Sequence, residues 1–382
     1  MIIDRIETLS KFEALGPEWR ELEARLPKLP FLTFDWLFTW WNRLRAQSAG
    51  VRDELFLHTF RDDSGSLRAI APLMRTKRPG YGPLRLRQLQ FLGADPNITE
   101  IRSILAAPED MAAVVRSLLK ELHASASEWD FMQFTGLPAE HTNCVEESAF
   151  RSVRWVHDTP SYVLTMAPTW EEFRGKLSRN IKESLRKCYN APKRDGVELE
   201  HNVVRGPSEV PEAIEDFFRL HEARSQRDDT VRHGNVFGGQ MRRDFLLDVC
   251  QRFAERDRLR IFQTKIKGAV VATRIGFCCH DSLYLYYSGF DSEYARYSVM
   301  TTTVAEALQF ATREGFKTVN LSTGNDISKL RWGPEERLYR ELLLVSPSLR
   351  GAIAHESYSW VRRRIEAALS DAGVVSLLSR RS

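Results

Sequence analysis

Nothing in this 382-residue sequence is apolar for long enough to span a bilayer. Its start, Met1-Ile2-Ile3-Asp4-Arg5, lacks both the basic segment and the apolar run of a secretory signal. The expected location is the cytoplasm, with peripheral contact at the inner membrane left open. Cysteine is sparse: Cys144, Cys188, Cys250, Cys278 and Cys279 make an odd number, and none are spaced C-x-x-C. That argues against a disulfide framework and a zinc site, and for reduced, mostly buried thiols. Cys278 and Cys279 are adjacent, so in a strand they face opposite sides. An excess of one charge is also lacking. A net charge of +4 is too mild to indicate a nucleic-acid surface without a patterned patch, so nucleic acid is not an expected partner. Neither G-x-G-x-x-G nor G-x-x-x-x-G-K-[ST] occurs, which removes two common phosphate loops. No Ser/His/Asp or Cys/His set stands out for covalent catalysis, and no metal is expected.

What is present suits a well-filled globular protein, with 43% hydrophobic and 28% charged residues. The length exceeds what one core usually covers, so two domains are expected. The chain is organised around residues 283–332. An aromatic run, Leu283-Tyr284-Leu285-Tyr286-Tyr287, alternates across a pleat and ends at Ser288-Gly289. A polar turn leads to a helix from about Val299 to Arg313, with Val304, Ala307, Leu308 and Ala311 at helical spacing and Gly315 as its stop. A second strand, Lys317 to Leu321, ends at Ser322-Thr323-Gly324-Asn325-Asp326. Strand, turn, helix, strand is how a parallel pair is made. Arg296-Tyr297-Ser298 stands where the first strand meets the helix. Free amides and the positive end of the helix dipole make such a turn an anion site, or simply a capped crossover.

Residues 1–45 read as a short strand, a helix from Pro17 to Leu26, and an aromatic helix following Pro30, with Thr33 or Asp35 as its cap. Phe34, Phe38 and Trp41 share one face of it, as do Trp36 and Trp40. The cluster reads as core, with an apolar wall for an acyl chain as the alternative. Strands are expected at Glu54 to Phe60, Leu67 to Lys77, Leu84 to Leu92 and Glu100 to Ala106, then a helix from Pro108 to Ser125 and a strand from Trp129 to Thr135. One sheet flanked by helices is the expected arrangement. The loop Asp95-Pro96-Asn97-Ile98 reads as a surface turn or as a wall of an interdomain cleft. Residues 138–160 read as the crossover.

Trp170 to Lys187 reads as one amphipathic helix, with Phe173, Leu177, Ile181 and Leu185 on one face and basic residues over much of the rest. Its cations are either a solvated face or an attractor for anionic lipid or CoA. A turn at Pro192 to Gly196, a strand to Val204 and a helix from Pro211 to Ser225 follow. His221 or Glu222 there is a weak candidate base, and Ser225 to Gly239 reads as a lid. Helix Phe245 to Ala254 and strands Arg258 to Thr264 and Val270 to Phe277, joined at Lys267-Gly268-Ala269, lead into the organising stretch. A strand from Leu338 to Val345 and a tail helix from Leu349 to Leu369 close the chain. The tail sets Trp360, Val361 and Ile365 beside Arg362, Arg363 and Arg364, a face for packing or for a membrane surface.

The segment Tyr287, Gly289, Asp291, Tyr294 and Ser298, followed by Gly324, Asp326, Lys329 and Trp332, resembles two motifs of the GNAT acyltransferase superfamily. The likeness is to its two-domain CelD-like branch, which is related to the Fem aminoacyltransferases and to bacterial ceramide synthases. Ser328 stands where that branch has a tyrosine, and Tyr297-Ser298-Val299 stands where a pyrophosphate-loop glycine is usual. Ser178, Lys182 and Arg186 resemble the branch's basic helix. The resemblance implies an α/β protein with mixed sheets and tandem GNAT-like domains: a degenerate one over 1–150, an acyl-CoA-binding one over 151–346, and an amphipathic tail over 347–382. It implies acyl-CoA as co-substrate, with no permanently bound cofactor, and an amine-bearing envelope acceptor. Transfer to a lipid or sphingoid-type amine is the expected activity. Acetylation of an exopolysaccharide amino sugar, aminoacyl transfer from tRNA and a non-enzymatic scaffold are the alternatives.

Amine attack on a thioester needs a base to free the nucleophile and a donor for the leaving thiolate. Candidates are the polar groups at the strand ends: Tyr287, Asp291, Tyr294, Asp326 and Lys329. Asp326 is the expected base or acceptor-orienting carboxylate, with capping as its other reading. Tyr287 or Tyr294 is the expected acid. Amides at Tyr287 to Gly289 are expected to hold the thioester oxygen. Arg296, Tyr297, Ser298, Val299, Met300 and Thr301 are expected to hold the CoA diphosphate.

Overall fold

The computed structural model describes residues 1–26, 29–80, 84–95, 97–146, 150, 153–225, 234–357 and 360. Its strands are β1 (Ile2–Ile6), β2 (Arg52–Leu55), β3 (Leu57–Arg61), β4 (Leu67–Ala71), β5 (Leu73–Pro79), β6 (Arg85–Phe91), β7 (Leu105–Ala106), β8 (Phe131–Pro138), β9 (Val153–Thr165), β10 (Glu200–Val204), β11 (Leu259–Ile266), β12 (Ala269–Cys279), β13 (Ser282–Phe290), β14 (Thr318–Thr323) and β15 (Glu335–Val345). The helices are α1 (Leu9–Ala14), α2 (Gly16–Arg25), α3 (Phe34–Leu44), α4 (Pro108–Ala124), α5 (Asn143–Glu146), α6 (Trp170–Lys176), α7 (Arg179–Arg194), α8 (Val210–Ser225), α9 (Gln240–Glu255), α10 (Val299–Arg313) and α11 (Ile327–Leu330). Residues 349–357 are also helical.

Among the described residues a four-stranded sheet, β1-β3-β4-β7, lies beside an eleven-stranded sheet in the order β10-β11-β12-β13-β14-β9-β15-β8-β6-β5-β2. Two of the pairings in the larger sheet are parallel, β13 with β14 and β6 with β8. Each is made by a strand, a crossing helix and a strand, with α10 in one and α4 in the other, as parallel pairing requires. These two equivalent units give the mixed α/β fold its tandem character. The last strand closes the first half: β15 pairs with β8 on one side and β9 on the other, while β9 pairs with β14. The sheet therefore runs unbroken past residue 150.

Several expected elements differ in their limits. The run 54–60 is two strands, parted at Phe56, that belong to different sheets, and 67–77 parts likewise at Pro72. So the first half holds two sheets instead of one. The expected strand from Glu100 shrinks to Leu105–Ala106, and much of the expected crossover is β9. The basic helix is two helices, because Ser178 is extended and its side chain caps Ile181 N at the start of α7. The apolar spacing continues through the break, and Phe173, Leu177, Ile181 and Leu185 are all buried. Helix α7 also runs through Pro192 to Arg194, where a turn is expected. The aromatic helix is capped by Thr33, not Asp35. The tail beyond Trp360, with Val361 and Ile365, and residues 226–233 of the expected lid lie outside the described residues, as does Pro96. No helix among the described residues is long and apolar enough to cross a membrane.

The aromatic helix is core, packed on Phe12 and Trp19 of the first half and reaching into the second. Phe31 and Trp36 meet Tyr284 and Tyr286 of β13 at ring-centroid distances of 5.1 and 5.6 Å, and Trp36 also meets Phe245 and Phe277. On the other face of β13, Leu283 and Leu285 pack under α10 with Ala307, Leu308 and Phe310. Strand β13 is thus buried on both faces, and α8 crosses it closely. A Cβ on Gly289 would stand 2.5 Å from His221 N and 2.6 Å from the Leu220 carbonyl carbon. Gly289→Ala is therefore expected to lower stability by about 1–3 kcal/mol, read as a lower urea midpoint with an unchanged slope.

Candidate functional site

The ladder between β13 and β14 is short. It runs from Ser282↔Thr318 to Tyr284↔Asn320 and stops, although both strands continue. Two local features open it. The β12–β13 register passes from Arg274↔Ser288 to Gly276↔Leu285, so β13 carries an extra residue there. The β14–β9 register shifts between Asn320 and Thr323, and Ser322 has a positive φ of 76°. The bulge ends the alternation expected of the aromatic run, and the rings of neighbouring Tyr286 and Tyr287 lie 4.6 Å apart. At the fork, Arg274 Nη2 donates to the carbonyls of Leu285 at 2.9 Å and Leu321 at 3.5 Å, the first residues past the ladder.

The first half supplies what lies above the fork. Three tyrosines of β13 donate their hydroxyls to one loop: Tyr284 to Glu100 Oε2 at 2.5 Å, Tyr286 to the Ile98 carbonyl at 2.6 Å, and Tyr287 to the Asn97 carbonyl at 2.6 Å. The loop is braced from behind by Asp95, which accepts from Trp40 Nε1 at 2.7 Å and from the amides of Ile98 and Thr99. This is the cleft-wall reading of residues 95–98. Ser322 Oγ also donates to both oxygens of Glu100 at 2.8 Å. Lys329 reaches back to the carbonyls of Thr323 and Gly324.

The charges in this cluster perturb one another. Burial raises the Glu100 carboxyl above its ordinary range, against the opposing pull of Lys329, Tyr284, Ser322 and Arg274. Burial lowers the Lys329 ammonium to about 8, while Glu100 and Asp326 hold it up and Arg274 and Arg224 press it down. Arg274 falls to about 10 through burial and the neighbouring Arg224. Tyr284 is pushed well up by burial and by Glu100. A carboxyl raised and an amine lowered toward neutrality beside an opening in a sheet mark a candidate site for proton transfer.

The expected site residues divide between two places. Lys329 belongs to the cluster. Asp326 borders it and caps α11 by accepting from Ser328 N at 2.8 Å. Tyr287 lines it with its hydroxyl bonded to the loop, and its ring meets His221 and Phe237. Asp291 instead caps the 3-10 turn Ser292–Tyr297 through Glu293 N. Tyr294 packs with Tyr297, Ile266 and Val271. His221 is buried, stacked on Phe217, and Glu222 pairs with Arg243 at 3.3 Å. Sequence reading missed Glu100, Ser322, Arg274 and Tyr284 as site groups. No local signal marks Glu100, which stands in the mixed run Thr99-Glu100-Ile101-Arg102-Ser103.

The second place is the start of α10. Ser298 is exposed and left-handed, with φ 53° and ψ 40°, the conformation a glycine would adopt there. Its carbonyl accepts from Thr301 and Thr302, and its side chain makes no cap bond, so the first amides of the helix, at Val299 and Met300, have no carbonyl partner within it, at the positive end of its dipole. Tyr297 is buried and donates to Asp195 Oδ2 at 3.1 Å, tying this turn to the end of α7. Exposed Arg296 lies over the Tyr297 ring at 4.6 Å. On α7, Arg179, Arg186 and Lys193 are exposed and have no acidic partner among the described residues, whereas Lys182 donates to the Gly175 carbonyl at 2.6 Å. Among the described residues no group of His, Cys, Asp and Glu is arranged to hold a metal ion.

Residues 175–330 match the family model described as an acetyltransferase (GNAT) domain. Nothing matches among curated protein sequences. Solved structures share the whole fold. FemX is 10% identical over 89% of this chain and 97% of its own, with a TM-score of 0.58. The C-terminal domain of a protein from Agrobacterium fabrum described as a lysylphosphatidylglycerol synthetase is 12% identical over 91% and 96%, with a TM-score of 0.51. A conserved protein of unknown function from Bacteroides thetaiotaomicron is 13% identical over 90% and 100%, also at 0.51.

Two measurements check this geometry. Left-handed backbone costs an L-residue about 1–2 kcal/mol, so Ser298→Gly is expected to be more stable than Ser298→Ala by about 1 kcal/mol in urea unfolding. Lys329 is expected to titrate near 8, against an ordinary 10.5, as read by NMR of its side chain. Between those values the unfolded chain holds the proton and the folded one does not, so this group's contribution to stability rises with pH. Glu100→Gln removes the charge that holds Lys329 up, and the midpoint then falls further.

Proposed function

We propose that this chain, whose residues 175–330 match the model of a GNAT acetyltransferase domain, transfers an acyl group from acyl-CoA to the amine of a cell-envelope acceptor, a lipid or sphingoid-type amine. One observation carries the reading: the parallel pair opens beneath a half-buried carboxylate and a lysine near its neutral point, with the bare start of α10 in the same unit.

In this reading the donor diphosphate meets the first amides of α10, at Ser298 to Thr301, with Arg296 and the cations of α7 beside it. The thioester enters the fork past Leu285, and amides at Tyr287 to Gly289 face its oxygen. Glu100 takes a proton from the acceptor ammonium. The neutral amine then attacks the thioester carbon, forming the C–N bond and an oxyanion that the Lys329 ammonium faces. Collapse breaks the C–S bond; Lys329 protonates the departing thiolate and is reprotonated by the second proton of the attacking nitrogen, which leaves a neutral amide and free thiol. Asp326 orients the incoming amine. Tyr287, bonded to Asn97, holds the cleft wall and is not the acid. Glu100 acts in the base role first assigned to Asp326.

A second reading, aminoacyl transfer from tRNA, draws on the exposed cations of α7, which would suit an RNA backbone equally. RNA retained through purification, and transfer only when charged tRNA is supplied, would favour it. The test of the first reading is mass spectrometry of the purified protein with a panel of acyl-CoAs and amines. The expected result is an N-acylated amine and free CoA; no product from any acyl-CoA overturns it. With an active pair in hand, Glu100→Gln and Lys329→Met are each expected to lower kcat by about 10²–10⁴-fold. Asp326→Asn keeps the cap and is expected to lose less than about tenfold.

A further inference from the structure

A groove of about 870 Å³ lies between α3 and the strands β2, β5 and β6 of the first half and the start of α9 of the second. Its volume falls within the roughly 300–1,000 Å³ of small-molecule sites. Trp40, Leu44, Met74, Ala94, Ile98 and Met241 give it apolar walls. Met241 is 63% exposed, a large apolar side chain left in solvent at the groove's edge. The thioethers of Met74 and Met241 suit a flexible aliphatic occupant better than a rigid one.

Its charges do not select an ion. Asp53, Asp95 and Asp244 and the guanidiniums of Arg78 and Arg242 line it, and each bonds to neutral groups. Asp53 accepts from Ala46 N and Thr76 Oγ1, each at 2.6 Å, and Asp244 from Gln240 Nε2 at 2.7 Å. Arg78 donates to Gln88 Oε1 at 2.9 Å and Arg242 to the Val236 carbonyl at 3.0 Å. Three negative and two positive groups nearly cancel, so neither a polyanion nor a polycation is favoured. What remains is apolar area.

The groove shares a wall with the candidate site. Asp95 and Ile98 line it, while the carbonyl of Ile98 receives Tyr286 on the other side of the same loop. Glu100 follows Ile98 by two residues, at most about 7 Å of chain. The proposed donor entry, at Ser298, lies at the start of α10, which contributes no residue to the groove.

We propose that this groove seats the aliphatic chain of an amphiphilic amine acceptor, with the amino head reaching over residues 97–99 toward Glu100. The proposal rests on the transfer reaction above and specifies its acceptor. It is tested by calorimetry on the full chain with no donor present, using dodecylamine below its micelle concentration, butylamine and dodecanoyl-CoA. Dodecylamine is expected to bind at least tenfold more tightly than butylamine. Met241→Glu, at an exposed position, and Ala94→Trp, which fills the groove, are each expected to weaken dodecylamine at least tenfold and leave dodecanoyl-CoA unchanged. Equal binding of the two amines, or no effect of either variant, overturns the proposal. So does a loss confined to dodecanoyl-CoA, which would assign the groove to the donor's chain. Because binding is read without a donor, a failure to detect acyl transfer counts against the reaction alone and leaves the groove to be judged by these affinities.

Discussion

Three phenol groups on one strand hold the two halves of this protein in register. Tyr284, Tyr286 and Tyr287 of β13 bond to Glu100, Ile98 and Asn97 of a loop 184 to 190 residues earlier in the chain. A buried hydroxyl without a partner costs about 1–3 kcal/mol, so the loop and the strand each supply what the other lacks. The aromatic ring contacts beneath, from Phe31 and Trp36, add burial to this bonding. Any shift of the loop would strand hydroxyls and expose rings together, which is why a carboxylate on an irregular segment can be held in place.

That placement sets the chemistry. The carboxylate of Glu100, held by two hydroxyl donors and near two cations, is half-buried, and the hydration lost there moves Glu100 and Lys329 toward neutrality. The fork beneath is equally dependent on the bulge in β13. Without the extra residue, β13 would remain in register with β12, and the bonding that Arg274 makes at Leu285 and Leu321 would have no place in the sheet. The second half thus provides the opening and the first half the carboxylate beside it. Strand β15, completing the first half from the end of the chain, locks the order in which they are joined.

The unit from β13 to β14 was legible because its signals are local: alternation, helical spacing, and glycine at 315 and 324. Helix α10 spans the expected residues. The likeness to the GNAT superfamily rested on the same segment, and the family model covers it. Glu100 was not legible as a site residue, because nothing near it in sequence reports the distant tyrosines that bind it. The corners at Phe56 and Pro72 were hidden because the chain is buried on both sides of each and apolar residues continue through. Ser178 was hidden for a related reason: the buried spacing of α6 and α7 runs through the break. Asp326 and Asp291 show the converse, since a carboxylate before a helix carries the same local signal whether it caps or catalyses.

The central claim is that Glu100, delivered by the first half, is the base for an amine activated in the second. The most direct test is the pH dependence of kcat/KM for an active donor and acceptor pair, compared between the native protein and Glu100→Gln. The account predicts a bell in the native protein, its lower limb above the ordinary carboxylate range and its upper limb near 8, with Glu100→Gln losing the lower limb and moving the upper to lower pH. A lower limb unchanged by Glu100→Gln would contradict it.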